Sequence, residues 1–428
     1  MSRSDSLALL FQEALIVVAR IRAGRQRLGN PRLFRTQMRN SLGAAEKAAS
    51  RYGYPASDLE TVLKAMAAFL DESLLNAHSP QYAGLYQELF GATSAGESFV
   101  RNLASLFERP DSLTVADVLE VHQLCLLLGF QTHLSGLEIR YLLREIGERI
   151  HRIRNARPTP QPLLMNERPG QSESQTVTFL VGGTGAGKTS LIAESGIELE
   201  QAAENAWRMG EALLVDGSPI ANRRLFRRGD ACSAVLVLDC DAFLAHERVE
   251  TIAQTARDSR AQLAEIARAT RATLPVHVVF TKMDKLNHFG AFARNFTALE
   301  GREAMGASVC TGANAAFDTV YRWLADKRPK LLERECNPRE LPNIFEFPRE
   351  FAKLRPLIVQ FLTELSGPTS ILRGFYFTGV ATFGGEAMPR RLWLQGLFPE
   401  IVLSNTPARK PPGSIRRRIS ISRLTGMR

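Results

Sequence analysis

Directly after the apolar run TVTFL (Thr176–Leu180), the chain reads VGGTGAGKTS from Val181 to Ser190. An apolar run of strand-forming residues, a glycine-rich turn and a following segment that reads as a helix, SLIAESGIELEQ (Ser190–Gln201), form a strand–loop–helix unit. Such a unit needs a sheet for its strand and a layer of helices to cover that sheet. The residues that follow supply both. Apolar runs at ALLV (Ala212–Val215), SAVLVLD (Ser233–Asp239) and VHVVF (Val276–Phe280) alternate with helical stretches, and Ile252, Ala256, Ser259, Leu263 and Ile266 recur in steps of four and three. The alternation predicts an α/β domain over residues 176–336, built on a mostly parallel sheet with helices on both faces.

The loop has a specific chemistry. Gly182, Gly187, Lys188 and Thr189 satisfy G-x-x-x-x-G-K-[ST], the phosphate-binding signature of P-loop NTPases. Backbone N–H groups from Gly182, Gly183, Thr184, Gly185, Ala186 and Gly187 through to Ser190 would surround nucleotide phosphates. Lys188 would reach the β and γ oxygens, and Thr189 would give its hydroxyl to Mg²⁺. A second motif, TKMD, ends the later strand: Thr281 opens it, Lys282 is placed to lie against a base, and an ionised Asp284 would accept from the ring N–H and amino group of guanine. Adenine presents an acceptor at that ring nitrogen, so GTP is favoured over ATP. Asp216 ends ALLV and is the expected second magnesium ligand, through a water. Three positions later stands Pro219, where a switch GTPase carries a glycine; proline has no N–H to offer a γ-phosphate. With no glutamine in evidence to orient a water, the sequence assigns no catalytic residue, and weak hydrolysis of GTP or ATP is the most it supports.

Ahead of this domain, residues 1–156 carry helical periodicity throughout, as in DVLEVHQLCLLLGF (Asp117–Phe130), and predict an all-helical domain. The Pro-, Gln- and Ser-rich segment 157–175 reads as a linker. Residues 337–406, opening with the proline-containing FEFPREF (Phe345–Phe351), read as a small C-terminal extension, and 407–428 as a basic tail. Seven arginines and lysines and no acid lie between Arg409 and Arg428, so the tail contributes seven of the net +10 charges. The five cysteines (Cys125, Cys232, Cys240, Cys310, Cys336) lack metal-ligand or disulfide-framework spacing, which fits a reducing compartment. No apolar run approaches the roughly 20 residues of a membrane span.

Both sides of the linker resemble known families. VGGTGAGKTSLI, WRMGEALLVDGS, LPVHVVFTKMDKL, HFGAFARNF, FEFPREFAKLRP, LRGFYFTG and LWLQGLFPEIVL together resemble the cytoplasmic NTPase-like region of the IcmF/TssM proteins of type VI and type IVB secretion. FLDESLL (Phe69–Leu75), AGESFVRNL (Ala95–Leu103) and DVLEVHQLCLLLGF resemble the cytoplasmic domain of the DotU/TssL proteins. Where the first family carries a DTAG-like segment, this chain has Asp216, Gly217, Ser218 and Pro219.

The resemblance implies a cytoplasmic scaffold, peripheral at the inner membrane, that connects a secretion baseplate to the envelope channel, with baseplate and membrane-complex subunits as partners and oligomerisation within the complex. Nucleic acid is not an expected partner. The competing readings are a soluble regulatory GTPase without a secretion role and an adaptor whose P-loop is vestigial. The resemblance also implies membrane spans that this chain does not show, and the tail then resembles a juxtamembrane positive-inside segment.

If so, the tail should hold the chain on anionic bilayers with about 1 kcal/mol per basic residue near the surface. Salt should release it as the screening length falls from about 8 Å toward about 3 Å. Co-sedimentation with anionic and neutral liposomes, with a DNA competitor, should separate the full chain from one ending at Thr406; equal sedimentation of the two would reject the assignment.

Overall fold

The computed structural model describes residues 6–91, 94–131, 134–155, 176–194, 200–209, 212–217, 224–225, 230–244, 249–367, 370–382, 390–395 and 397. The linker, the basic tail, Ser218 and Pro219 lie outside these residues.

The first half is helical: α1 (Leu7–Leu10), α2 (Gln12–Arg22), α3 (Pro31–Arg51), α4 (Ala56–Asn76), α5 (Leu85–Phe90), α6 (Ala95–Glu108), α7 (Leu113–Leu127) and α8 (Gly136–Asn155). Local chemistry sets several of its boundaries. The Asn30 side chain accepts from the N–H groups of Arg32 and Leu33, with Pro31 in the first turn, which starts α3. Ser112 does the same for α7 through Val115. α7 is apolar on nearly every side, and Val115 through His122 are all buried, so it forms the centre about which the other helices pack. Burial pushes the His122 imidazole down to about 4, which keeps it neutral inside that core.

The second half contains β1 (Thr176–Val181), α9 (Lys188–Ala193), β2 (Glu200–Ala203), β3 (Ala206–Met209), β4 (Ala212–Asp216), β5 (Ala231–Asp239), α10 (Val249–Thr270), β6 (Leu274–Thr281), α11 (Phe289–Ala293), β7 (Met305–Ser308), α12 (Ala313–Arg334), α13 (Leu341–Ala352), α14 (Arg355–Leu365), β8 (Ser370–Phe377), β9 (Gly379–Ala381) and β10 (Arg390–Leu392). The eight-stranded sheet has the order β2-β3-β4-β1-β5-β6-β8-β7. Its centre, β4-β1-β5-β6-β8, is parallel; β2, β3 and β7 add antiparallel edges. The four apolar runs read from the sequence fall in β1, β4, β5 and β6, and the stripe Ile252, Ala256, Ser259, Leu263, Ile266 is the buried face of α10.

Two elements differ from the sequence reading. The helix expected over Ser190–Gln201 ends at Ala193, and Glu200–Ala203 instead pairs with Ala206–Arg208 as a hairpin strand. The ladder to β3, itself paired with β4, satisfies backbone groups that helical propensity alone assigns to a helix, and tertiary pairing outranks that weak preference. The segment read as a C-terminal extension contributes β8 to the main sheet, parallel to β6 and antiparallel to β7, so part of it belongs to the α/β layer. Among the described residues, no helix is long and apolar enough to cross a membrane.

One apolar core runs through both halves, from Leu7 and Phe11 through Val121 to Phe345 and Phe375. α2 packs on α13, and α7 on α12. Polar groups fix the register of that contact. Arg20 Nε donates to Glu346 Oε1 at 2.7 Å and a second guanidinium nitrogen pairs with the other carboxylate oxygen, a bidentate fork on a carboxylate that is 3% exposed. Tyr321 donates to Gln12 at 3.0 Å, Arg25 to Asn343 at 2.5 Å, and Arg349 pairs with Glu13 at 2.9 Å.

Arg20→Ala would leave the Glu346 carboxylate with only the His288 ring, 3.7 Å away, beside it among the ion pairs of the described residues. The unfolding free energy should fall by about 2 kcal/mol, less than the roughly 3–5 kcal/mol of a fully buried pair because Arg20 is 36% exposed. Replacing both partners, Arg20→Met with Glu346→Leu, should recover most of that loss. Denaturant titration reads both effects, and a single variant as stable as the parent would show that the pair does not hold the halves together.

Candidate functional site

β1 carries parallel partners on both edges, β4 and β5, so the loops leaving the carboxyl ends of β1, β4, β5 and β6 converge on one rim of the sheet. In open α/β sheets this rim, at the point where the chain crosses from one side of a strand to the other, is where ligands bind. Residues 182–187, Asp216–Gly217, Asp239–Asp241 and Thr281–Asp284 all lie there.

The glycines of the first loop answer to steric demands. Gly182 has φ 150°, and a Cβ there would sit 2.4 Å from the Val237 carbonyl oxygen; only glycine lets β1 leave the sheet this close to β5. Gly187 has φ 95° and its α-carbon faces the Thr281 side chain, with a Cβ placed 3.5 Å from Thr281 Cγ2. Gly183, Thr184, Gly185 and Thr189 are exposed, Ser190 is half-buried, and Ala186 is buried. Lys188 Nζ donates to the Gly182 carbonyl at 2.6 Å and lies 3.4 Å from Asp216 Oδ1, so the lysine spans the loop and meets the end of β4.

Of the TKMD residues, Thr281 is fully buried under the loop, where its hydroxyl lies 2.7 Å from the Ala186 carbonyl and 3.1 Å from that of Leu238. It ties the loop to β5 and β6. Lys282 adopts a left-handed backbone, φ 59°, and pairs with Asp239 at 2.6 Å. Asp284 is exposed, and one of its oxygens accepts from Val380 N–H in β9 at 3.0 Å. The structure therefore brings Lys188 and Asp216 together as an ion pair, where the sequence reading assigned Asp216 to magnesium and Lys188 to phosphate, and sets Lys282 and Asp284 on the same rim, each with an internal partner. Cys240, buried between Asp239 and Asp241, has its thiol held well above the ordinary range, chiefly by burial, and offers no nucleophile.

Several residues at this rim were not singled out from the sequence. Asp239 is the partner of Lys282. Gln262 and Glu265, from α10, line a cavity of about 280 Å³ together with Gly182, Lys188, Asp216 and Gly217. Arg391 of β10 makes two bonds of 3.1 Å to Glu194 at the end of α9, and Leu394 and Leu397 join Ala186, Leu191 and Ile192 in a second apolar cluster. Asp239 was legible as a strand-terminal acid. The α10 pair flanks a stripe that was legible, but which strands that stripe covers was not.

Among the described residues no three His, Cys, Asp or Glu side chains converge on a point. Of the two residues read as magnesium ligands, Asp216 ends β4 beside Lys188 and Thr189 is exposed in the first turn of α9. That donor set suits Mg²⁺, which keeps several waters and takes one or two carboxylates.

Comparison with known proteins divides the chain in two. Residues 6–191 match the family model of the type VI secretion system protein DotU, and residues 231–424 match that of the IcmF-related N-terminal domain. The glycine-rich loop falls in the first match, although β1 places it structurally in the sheet of the second half. The chain is 24% identical over 271 residues to the type VI secretion system component TssM1 of Pseudomonas aeruginosa, covering 50% of this chain and 25% of that protein, so it spans a quarter of that relative's length. Similar solved structures are the cytoplasmic domain of TssL from Acinetobacter baumannii (25% identity, 35% of this chain and 99% of that one, TM-score 0.32) and SciP/TssL from Escherichia coli enteroaggregative 042 (21%, 41% and 98%, TM-score 0.31).

The geometry of the loop can be tested on its own. Gly182→Ala should lower stability by about 3 kcal/mol, from overpacking and backbone strain of roughly 1–3 kcal/mol each. Gly183→Ala, where a Cβ meets nothing within 4 Å, should be close to neutral. Thermal melts of the two variants check this, and equal melting temperatures would remove the steric account of Gly182.

Proposed function

Because the chain joins a DotU-type helical region to an IcmF-related α/β region in one type VI secretion component, we propose that it is a nucleotide-binding scaffold of the secretion membrane complex. It would sit on the cytoplasmic face of the inner membrane, link baseplate to envelope channel through baseplate and membrane-complex subunits, and oligomerise within that assembly. The basic tail would add contact with anionic lipid. The observation that carries the scaffold reading is the shared core of the two halves, registered by the Arg20–Glu346 fork. A body in which both regions are docked transmits position from one to the other.

The nucleotide reading rests on Lys188 and Asp216 meeting at the mouth of the glycine-rich loop. An arriving phosphate would exchange with the Gly182 carbonyl for the lysine, and the exposed amides of Gly183, Thr184 and Gly185 would surround the phosphate oxygens. Asp216 and Thr189 would hold Mg²⁺, which would neutralise phosphate charge. Asp284 would read guanine with the acceptor capacity that Val380 leaves unused, making GTP the preferred ligand over ATP. The internal partners of Lys282 and Asp284 also favour a second reading, an adaptor whose loop is retained for the fold.

Titration of labelled GTP and ATP against the full chain, with and without Mg²⁺, separates the two. Lys188→Ala should weaken binding by roughly 10–100-fold, the loss of a charge-assisted hydrogen bond worth about 1.5–3 kcal/mol, without changing the melting temperature by much. Asp284→Asn should weaken GTP more than ATP. A parent chain that binds neither nucleotide, yet co-purifies with baseplate subunits, would establish the adaptor instead.

A further inference from the structure

α10 supplies the wall of the site that the sequence left empty. Its buried stripe, Ile252, Ala256, Ser259, Leu263 and Ile266, fixes the rotation of the helix against the sheet. Positions 262 and 265 flank that stripe, and both border the same cavity as Lys188, Asp216 and Gly217. The Glu265 carboxylate and the Gln262 amide make no side-chain hydrogen bond or ion pair among the described residues, unlike Lys188 and Asp216, which line the same cavity. Two polar side chains that border one cavity of about 280 Å³ together with a lysine and an aspartate are placed to handle a water molecule there.

We propose that Glu265 is the general base of nucleotide hydrolysis at this site, with Gln262 beside it holding the attacking water. This rests on the nucleotide-binding reading above. The water oxygen bonds to the γ-phosphorus while its proton passes to the Glu265 carboxylate. The bond from the γ-phosphorus to the bridging oxygen breaks, and its electron pair stays on the nucleoside diphosphate. Inorganic phosphate and the diphosphate leave, and the carboxylic acid returns its proton to solvent. A base on α10 dispenses with the water-orienting glutamine and the phosphate-facing glycine that switch GTPases place after the strand-terminal aspartate.

The test uses the full chain and Glu265→Gln, Glu265→Asp and Lys188→Ala variants, with Mg²⁺ and either GTP or ATP, reading equilibrium binding and single-turnover phosphate release in parallel. Glu265→Gln should bind nucleotide as the parent does and release phosphate about 10²–10⁴-fold more slowly. It should also lose the acid limb of the pH–rate profile, which Glu265→Asp, with its carboxylate kept on a shorter stem, should retain. Melting curves for each variant confirm that the fold is intact, and if Glu265→Gln does not fold, Glu265→Asp decides by its rate: the shorter stem should slow phosphate release at parental affinity, and release at the parental rate would overturn the assignment. Hydrolysis by Glu265→Gln at the parental rate, or a parent that binds nucleotide and releases no phosphate above the Lys188→Ala background, would overturn the base assignment and leave nucleotide binding standing. A parent that binds no nucleotide would overturn both.

Discussion

β1 is held in the middle of the sheet by parallel ladders on both edges, and the candidate site follows from that double pairing. A strand fixed on both sides delivers its carboxyl end to one place, and the neighbouring strands, running the same way, deliver theirs beside it. The close approach at Gly182, where a side chain would strike the Val237 carbonyl, is the local consequence. The buried Thr281 hydroxyl then bridges Ala186 and Leu238, so the loop is fastened to strands on which it has no ladder of its own. Buried polar groups of this kind hold geometry because leaving them unpaired costs more than the bond itself is worth.

The same rim is closed from the far end of the chain. Leu394 and Leu397 pack with Ala186, Leu191 and Ile192, and Arg391 grips Glu194 at the end of α9, which is only six residues long. So short a helix contributes little cooperativity of its own and depends on that packing. The Val380 amide reaches Asp284 because residue 379 is glycine: a Cβ there would fall 2.7 Å from Phe289 and 3.1 Å from the Asp284 nitrogen. Residues read as an extension of the domain thus complete both its core and its site.

The contact between the halves obeys a different logic. Its apolar surface is continuous with the cores on both sides, and non-directional burial alone does not choose a register. The Arg20–Glu346 fork does, because a bidentate pair with one nearly buried member has a single good geometry. Nothing in the local sequence around Arg20 distinguishes it from Arg22, which pairs with Glu72 inside the helical half, or Arg25, which reaches Asn343.

The helical first half, the parallel-sheet second half, the strand–loop–helix unit with Lys188 and the acid Asp216 at the end of a neighbouring strand were legible in the residues alone. These are carried by periodicities of 3.6 and 2 and by short motifs, whose physics is confined to a few consecutive residues. It took the folded chain to show that Glu200–Ala203 is a strand, that β8 enters the main sheet, that Lys282 and Asp284 have partners in Asp239 and Val380, and that Gln262 and Glu265 line one cavity with Lys188. Each of those facts is a pairing between residues distant in the chain, such as Asp284 with Val380. Local propensity is too weak to choose among such pairings until the sheet order has settled which segments are neighbours.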